Sequence, residues 1–293
     1  MKAFVFPGQG SQFPGMGYDL YKSNEKVKSL FNEADDVLGF ALSNVMFNGN
    51  EKELKQTKIT QPAIFLHSIA KLSVLQETYS PSAVAGHSLG EFSSLVANNT
   101  ISFKDGLKLV FLRSKAMQKS CESSNGTMAA ILGLDDKTIK ETCESFDGNV
   151  TAANFNCPGQ VVISGEINAV KKICEKFNEI GARRSILLPV GGAFHSNLMN
   201  DAKSELKEAI HKTKFNNPSC PIYQNFTAQK TTNIDIIKEN LINQLTAPVL
   251  WTQTINNMVD DGYLDYTEVG PGKVLQGLIR KINRETTTQS VLS

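Results

Sequence analysis

The chain has 293 residues, of which 41% are hydrophobic and 20% charged, with a formal net charge of +1. That length suits one large domain, or one domain carrying a smaller insert, and the composition excludes a disordered chain. A near-neutral balance supplies no basic field, so nucleic acid is not expected as a partner.

The predicted elements alternate between strand and helix. An apolar strand over residues 3–6 breaks at the sequence PGQGSQ. A helix is predicted to begin at Pro62, a residue suited to a first helical turn. It carries Ile64, Phe65, Ile69, Leu72 and Leu75 at near-helical spacing to about Thr78. Pro81 and Ser82 end it before a short buried strand over 83–85. Gly86-His87-Ser88-Leu89-Gly90 follows, and then a helical stripe of Leu89, Phe92, Leu95 and Val96.

Residues 127–133 read as a strand, 135–145 as a helix, 149–153 and 160–164 as strands, 167–180 as a helix and 184–189 as a strand. This β-α-β-β-α-β order is the ferredoxin-like pattern. It predicts a compact inserted unit, residues 125–190, within a larger domain made of 1–124 and 191–293. Beyond it, 198–210 and 234–245 read as helices, 221–223 as extended and 263–269 as a strand. A last helix carries Val274, Leu275, Leu278, Ile279 and Ile282. Strands alternating with helices imply a largely parallel, layered sheet in an α/β main domain.

The N-terminal apolar run is too short for a signal peptide, and no run of about 18 apolar residues offers a membrane span. Five widely spaced cysteines form no C-x-x-C pair, which argues against a disulfide framework or structural zinc. Reduced thiols in a cytoplasm are expected.

Ser88 lies between a strand and a helix. The sharp turn of a nucleophile elbow needs that context, although a serine there also serves as a plain turn or cap residue. A serine hydroxyl needs a base to attack at neutral pH. Of four histidines, His67 falls inside a helix, His211 in a lysine-rich stretch, and His87 leaves the turn in another direction. His195 sits in a Gly-rich loop, where a base or a merely exposed loop histidine both fit. Arg113 shares one helical face with Val110 and Met117. If buried, it needs an anionic partner, either within the protein or as the carboxylate of a substrate. The glycines near Gln9 leave backbone N–H groups open to a ligand, as an oxyanion donor requires. Two look-alikes fail. EVGPGKV has Thr267 where a phosphate loop has its first glycine, and PGQGSQF has Phe13 in place of a dinucleotide fingerprint's last one.

The segments FPGQGSQFPGMG, GHSLGEFSSLVA, RSKAMQ, NFNCPGQVVISG, GAFHSNLM, QLTAPVLW and EVGPGKVLQGLI stand in one order along the chain. In that order the sequence resembles the malonyl-CoA:acyl carrier protein transacylases of fatty acid synthesis, which are also built into polyketide synthases. The resemblance implies an α/β-hydrolase-like large domain with an inserted ferredoxin-like domain. It implies Ser88 as the acylated nucleophile and His195 as its base. It also implies backbone N–H groups of Gln9 and Leu89 as the oxyanion hole and Arg113 as the fork for the malonyl carboxylate. Gln244 would orient the histidine through its main-chain carbonyl, and Phe194 would crowd a branched acyl group. Coenzyme A thioester and acyl carrier protein are the implied partners, with no metal or cofactor, no membrane, and a monomer expected. Asn243 departs from the arginine many members carry there. Lys273, Arg280 and Lys281 are candidates to meet an acidic carrier. A serine esterase or thioesterase, a polyketide-pathway acyltransferase and a non-catalytic carrier-binding module are the rival readings.

Overall fold

The computed structural model describes residues 1–75 and 80–291. Ten strands occur among them: β1 (Lys2–Phe6), β2 (Ala83–Gly86), β3 (Gly126–Leu132), β4 (Val150–Cys157), β5 (Gln160–Glu166), β6 (Arg184–Leu187), β7 (Ile222–Tyr223), β8 (Lys230–Thr231), β9 (Asp265–Glu268) and β10 (Thr287–Ser290). They form a six-stranded sheet, β10-β9-β1-β2-β7-β8, and a four-stranded sheet, β4-β5-β3-β6. The large sheet is parallel except for the antiparallel β7–β8 pair.

Alternation along β1 and β2 assigns their two faces. Phe4, Phe6 and Val84 enter a core built with Phe31, Phe65 and Val110. Ala3, Val5, Ala83 and Ala85 face the opposite way, against Trp251, Ile255, Leu275 and Ile279. A parallel sheet covered on both faces explains why β1 reads as one unbroken apolar run.

The small sheet has the predicted β-α-β-β-α-β connectivity, with all pairs antiparallel. Helices Asp136–Ser145 and Ile167–Glu179 bury Ile139, Ile173 and Phe177 against Ile131 and Ile163. Its other face sends Met128, Ala153 and Val162 into the core that Phe4, Phe65 and Val110 build against the large sheet. The mixed α/β architecture is therefore the one expected, with the small sheet closing over the ends of β1 and β2.

Several boundaries differ from expectation. The helix predicted from Pro62 is Thr57–Ser73, with Pro62 inside it. Pro62 forfeits one ladder bond, the one an N–H there would make to the carbonyl of Lys58, and burial of Thr57, Thr60 and Gln61 holds the added turn. The predicted end at Thr78 lies outside the described residues. β4 continues past residue 153 to Cys157, with register irregularities at Ala152/Asn154 and Phe155/Cys157. Helices Tyr18–Ser23, Glu25–Leu38, Leu42–Asn48, Glu51–Leu54 and Trp251–Asp260, together with β8 and β10, carry no counterpart among the predicted elements. No helix of the described residues is long and apolar enough to cross a membrane.

Candidate active site

β2 ends at Gly86, and the helix Gly90–Ala97 begins four residues later. A Cβ on Gly86 would stand 1.9 Å from the Gly90 carbonyl carbon, and one on Gly90 would stand 2.0 Å from the Phe6 oxygen. Both glycines are therefore required by backbone packing, because nothing larger fits such a tight strand-to-helix turn. Ser88 sits at its apex with φ 52. His195 is likewise left-handed, at φ 57. Each conformation costs on the order of 1–3 kcal/mol, and strain of this kind gathers at functional sites.

Four side chains meet at the apex. Ser88 Oγ lies 2.9 Å from His195 Nε2, and His195 Nδ1 lies 2.9 Å from the main-chain oxygen of Gln244. A carbonyl oxygen only accepts, so Nδ1 carries the proton and Nε2 is free to accept the Ser88 hydroxyl proton. Arg113, from helix Phe103–Ser123, donates through Nη2 to Ser88 Oγ at 2.9 Å and to Gln244 Oε1 at 3.2 Å. Its Nη1 donates to Gln61 Oε1 at 2.6 Å. Gln244 Nε2 donates back to the Ser88 carbonyl at 3.0 Å. Gln244 thus binds serine, histidine and arginine with three different atoms.

Arg113 is 1% exposed, and its acceptors are neutral. Among the described residues it forms no ion pair, and its buried Nε has no partner. Burial brings its pKa down to about 10 despite the favourable charge of Glu91. A buried guanidinium with only neutral acceptors can take a carboxylate.

The cleft around Ser88, of about 240 Å³, is lined by Gln9, Leu89, Met117, Met128, Phe194 and Leu275 among others. Among the described residues, the N–H groups of Gln9 and Leu89 donate to no protein acceptor. Asn154 and Asn156 from β4 and Gln160 from β5 line the same cleft, and His87 Nε2 pairs with Asn156 Oδ1 at 2.9 Å. His67 is buried in its helix, and His211 lies exposed near the end of helix Asn200–Lys212. At the departing position, Lys203 Nζ donates to Asn243 Oδ1 at 2.8 Å, so a cation stands beside that residue. Val274, next to Lys273, lines the cleft, whereas Arg280 is engaged with Thr288.

Sequence reasoning missed Gln61, Asn225 and Glu91. Gln61 steers Arg113. Asn225 Oδ1 accepts from Ser88 N at 2.6 Å, and Glu91 accepts from Asn225 N. Each looks like an ordinary polar residue in sequence; only complete burial marks it, at 1%, 0% and 0% exposure.

The same burial predicts a pH response. Burial, and then the charge of Arg113, bring His195 down to about 3; burial and Lys71 do the same to His67. Both groups have folded pKa values below their unfolded ones. Their stability contribution is full above about pH 6.5 and is lost as pH falls toward 3, at about 1.4 kcal/mol per unit each. Glu91 acts in the opposite direction. Burial raises it to about 7, so its contribution is full below 4.5 and is lost as pH rises to 7. His87, also lowered by burial, adds to the two histidines, and Glu268, also raised by burial, adds to Glu91, so the two sets oppose each other between about pH 6.5 and 4.5. The urea midpoint should therefore fall gently over that range and steeply below it. His67→Leu should remove about one proton from the uptake on acid unfolding, measured from urea midpoints across pH.

A model of the acyl transferase domain family matches residues 3–292. The malonyl CoA-acyl carrier protein transacylase of Bacillus subtilis is 44% identical over 293 residues, spanning 99% of this chain and 92% of that protein. A crystal structure of an acyl carrier protein S-malonyltransferase from Vibrio cholerae superposes with a TM-score of 0.94 at 40% identity, covering 99% of this chain and 96% of that one. A malonyl-transacylase solved in complex with a type II polyketide acyl-carrier protein gives 0.93 at 39% identity, covering 99% and 94%. With this fold and these matches, the chain belongs to the acyl transferase family. Within it, the chain groups with the malonyl CoA-acyl carrier protein transacylases, which it matches over nearly its whole length.

Proposed function

We propose that this enzyme moves a malonyl group from coenzyme A to the phosphopantetheine thiol of an acyl carrier protein, through an ester on Ser88, and so supplies fatty acid synthesis. The observation that carries this reading is Ser88 Oγ at 2.9 Å from both a neutral imidazole and a buried guanidinium. The imidazole supplies a base, and the guanidinium supplies a counter-charge for an acyl group ending in a carboxylate.

His195 Nε2 takes the hydroxyl proton as Ser88 Oγ bonds to the thioester carbon. The free N–H groups of Gln9 and Leu89 receive the oxyanion; one such donor is worth about 3–4 kcal/mol. The C–S bond breaks, His195 returns the proton to the departing thiolate, and malonyl-Ser88 remains. The carrier thiol then attacks in the reverse sense, giving ping-pong kinetics. One imidazole takes and returns each proton, so the chemistry calls for no cofactor or metal. Phe194, on the cleft wall, would limit branching of the acyl group. Every group comes from a single chain, consistent with a monomer, and the free thiols suit a cytoplasmic setting. We read residues 125–190 as the inserted unit, because β3 to β6 form a sheet of their own, joined to the rest of the chain by a parallel bridge from Asn154 of β4 to Val249.

A hydrolase using the same elbow is the rival. His195 is oriented by a carbonyl and not by a carboxylate, and Arg113 favours a charged acyl unit. Partition separates the two. With malonyl-CoA alone, intact mass should show a persistent malonyl adduct on Ser88, which discharges when holo-carrier is added. Rapid release of malonate without carrier, unchanged by carrier, would make the protein a thioesterase.

A further inference from the structure

The elbow interrupts the large sheet at its most sensitive point. β2 pairs with β7 in parallel, Val84 opposite Ile222 and Ala85 opposite Tyr223, and there the backbone ladder stops. On the other side, His87 N still donates to Phe6 O of β1, at 3.0 Å. Toward β7, the backbone turns away just where Gly86 and Ser88 need partners.

The side chain of Asn225 stands in that gap. Its Nδ2 donates to Gly86 O at 2.7 Å, and its Oδ1 accepts from Ser88 N at 2.6 Å. In a parallel ladder, one residue's N–H and C=O bond to the carbonyl and the N–H that flank the residue opposite. The Asn225 amide repeats that pattern across His87, so a side chain completes the ladder where the backbone cannot. Asn225 is itself held on both main-chain groups. Its N–H donates to the Glu91 carboxyl in the first turn of the helix after the elbow, and its carbonyl accepts from Leu250 N at 3.1 Å. Gln224 Nε2 reaches the other Glu91 oxygen at 3.4 Å. Both Asn225 and Glu91 are fully buried, and a carboxyl is kept in such a place only with partners.

We propose that Asn225 is a positioning residue for the nucleophile. It engages the Ser88 N–H from the side of β7, holds the strained Ser88 backbone, and leaves Leu89 N–H as the elbow's donor to the acyl oxygen. Glu91 locks that clamp to the helix that follows. The inference rests on Ser88 as the acylated residue.

Three measurements test it. In single-turnover acylation by malonyl-CoA, Asn225→Ala should lower the saturating rate by about 10²-fold, as loss of two buried bonds at a strained site implies. The half-saturating concentration should stay within about twofold, because Asn225 touches no substrate. Labelling by a small serine-directed sulfonyl fluoride should fall in parallel. Glu91→Gln, which keeps an oxygen for Asn225 N, should acylate much faster than Glu91→Ala. On the unaltered protein, amide exchange followed by NMR should show Ser88 N–H at least about tenfold slower than Leu89 N–H. This reading needs no variant to fold. If wild type forms no adduct, Ser88 is not the nucleophile and the reading of the reaction falls. If wild type acylates, the clamp is overturned by any of three results: an Asn225→Ala rate within about threefold of wild type, a change confined to half-saturation, or equal exchange at Ser88 and Leu89.

Discussion

Ser88→Ala and His195→Ala are each expected to lower malonyl transfer by roughly 10⁶-fold, and the double variant by no more than either alone. The geometry makes them one device. Ser88 Oγ shares a proton with His195 Nε2 at 2.9 Å, and the imidazole has no other acidic or basic partner, since its Nδ1 ends on a carbonyl. Removing the hydroxyl leaves a base with nothing to deprotonate. Removing the imidazole leaves a hydroxyl whose pKa forbids attack. What remains, about 10³–10⁴ over the reaction in water, comes from the oxyanion donors and from binding. The two variants differ in one observable. Ser88→Ala should show no malonyl adduct at any time, whereas His195→Ala should accumulate one slowly over long incubation. The check is transfer rate to holo-carrier together with intact mass. Penalties that multiply in the double variant would mean that serine and histidine act independently, and the dyad would be abandoned.

The elbow was legible because its requirement is steric. Gly86 and Gly90 stand where any Cβ would collide with backbone, and the strand and helix patterns on either side are strongly apolar. Arg113 was legible through helical periodicity, which put a guanidinium on a buried stripe; its burial at 1% bears that out. Of the two anionic partners the sequence allows, the internal one is not adjacent among the described residues, which leaves the carboxylate of a substrate. The acceptors are two glutamines and the nucleophile itself, and Glu91 acts only at longer range. Gln61 stayed hidden because the helix start was placed at Pro62, leaving it in a loop, whereas it belongs to the buried first turns of Thr57–Ser73. Asn225 and Glu91 act through hydrogen bonds to residues more than 130 positions away in sequence, which no local period encodes. β8 and β10 were missed for a simpler reason. Short polar strands at sheet edges have no buried face, so alternation leaves no trace.

Arg113→Ala is expected to lower kcat/KM for malonyl-CoA by about 10²–10³, the worth of two charge-assisted hydrogen bonds at about 1.5–2 kcal/mol each. Acetyl-CoA should lose little and can gain, for a reason internal to the site. In the resting enzyme the Arg113 charge is one of the causes, after burial, that hold the His195 pKa near 3. An imidazole so depressed accepts a proton poorly. On the proposed reading, a malonyl carboxylate on the guanidinium would offset that charge and raise the basicity of His195 in part, burial remaining the larger cause; an acetyl group would not. On that reading the arginine would discriminate twice, by binding the carboxylate and by weakening the base until a carboxylate arrives. Removing it would end the carboxylate binding and lift the charge part of the depression, leaving the part due to burial. Arg113→Lys should fall between, since it keeps the charge that suppresses the base but loses the two-pronged fork. Competition between malonyl- and acetyl-CoA, read as the ratio of adducts on Ser88, measures the discrimination directly. The pH profile for acetyl transfer, whose lower limb should move to higher pH in Arg113→Ala, isolates the effect on His195. Equal losses on both acyl groups with an unmoved profile would make Arg113 a structural residue and leave the selectivity of the cleft to its shape alone.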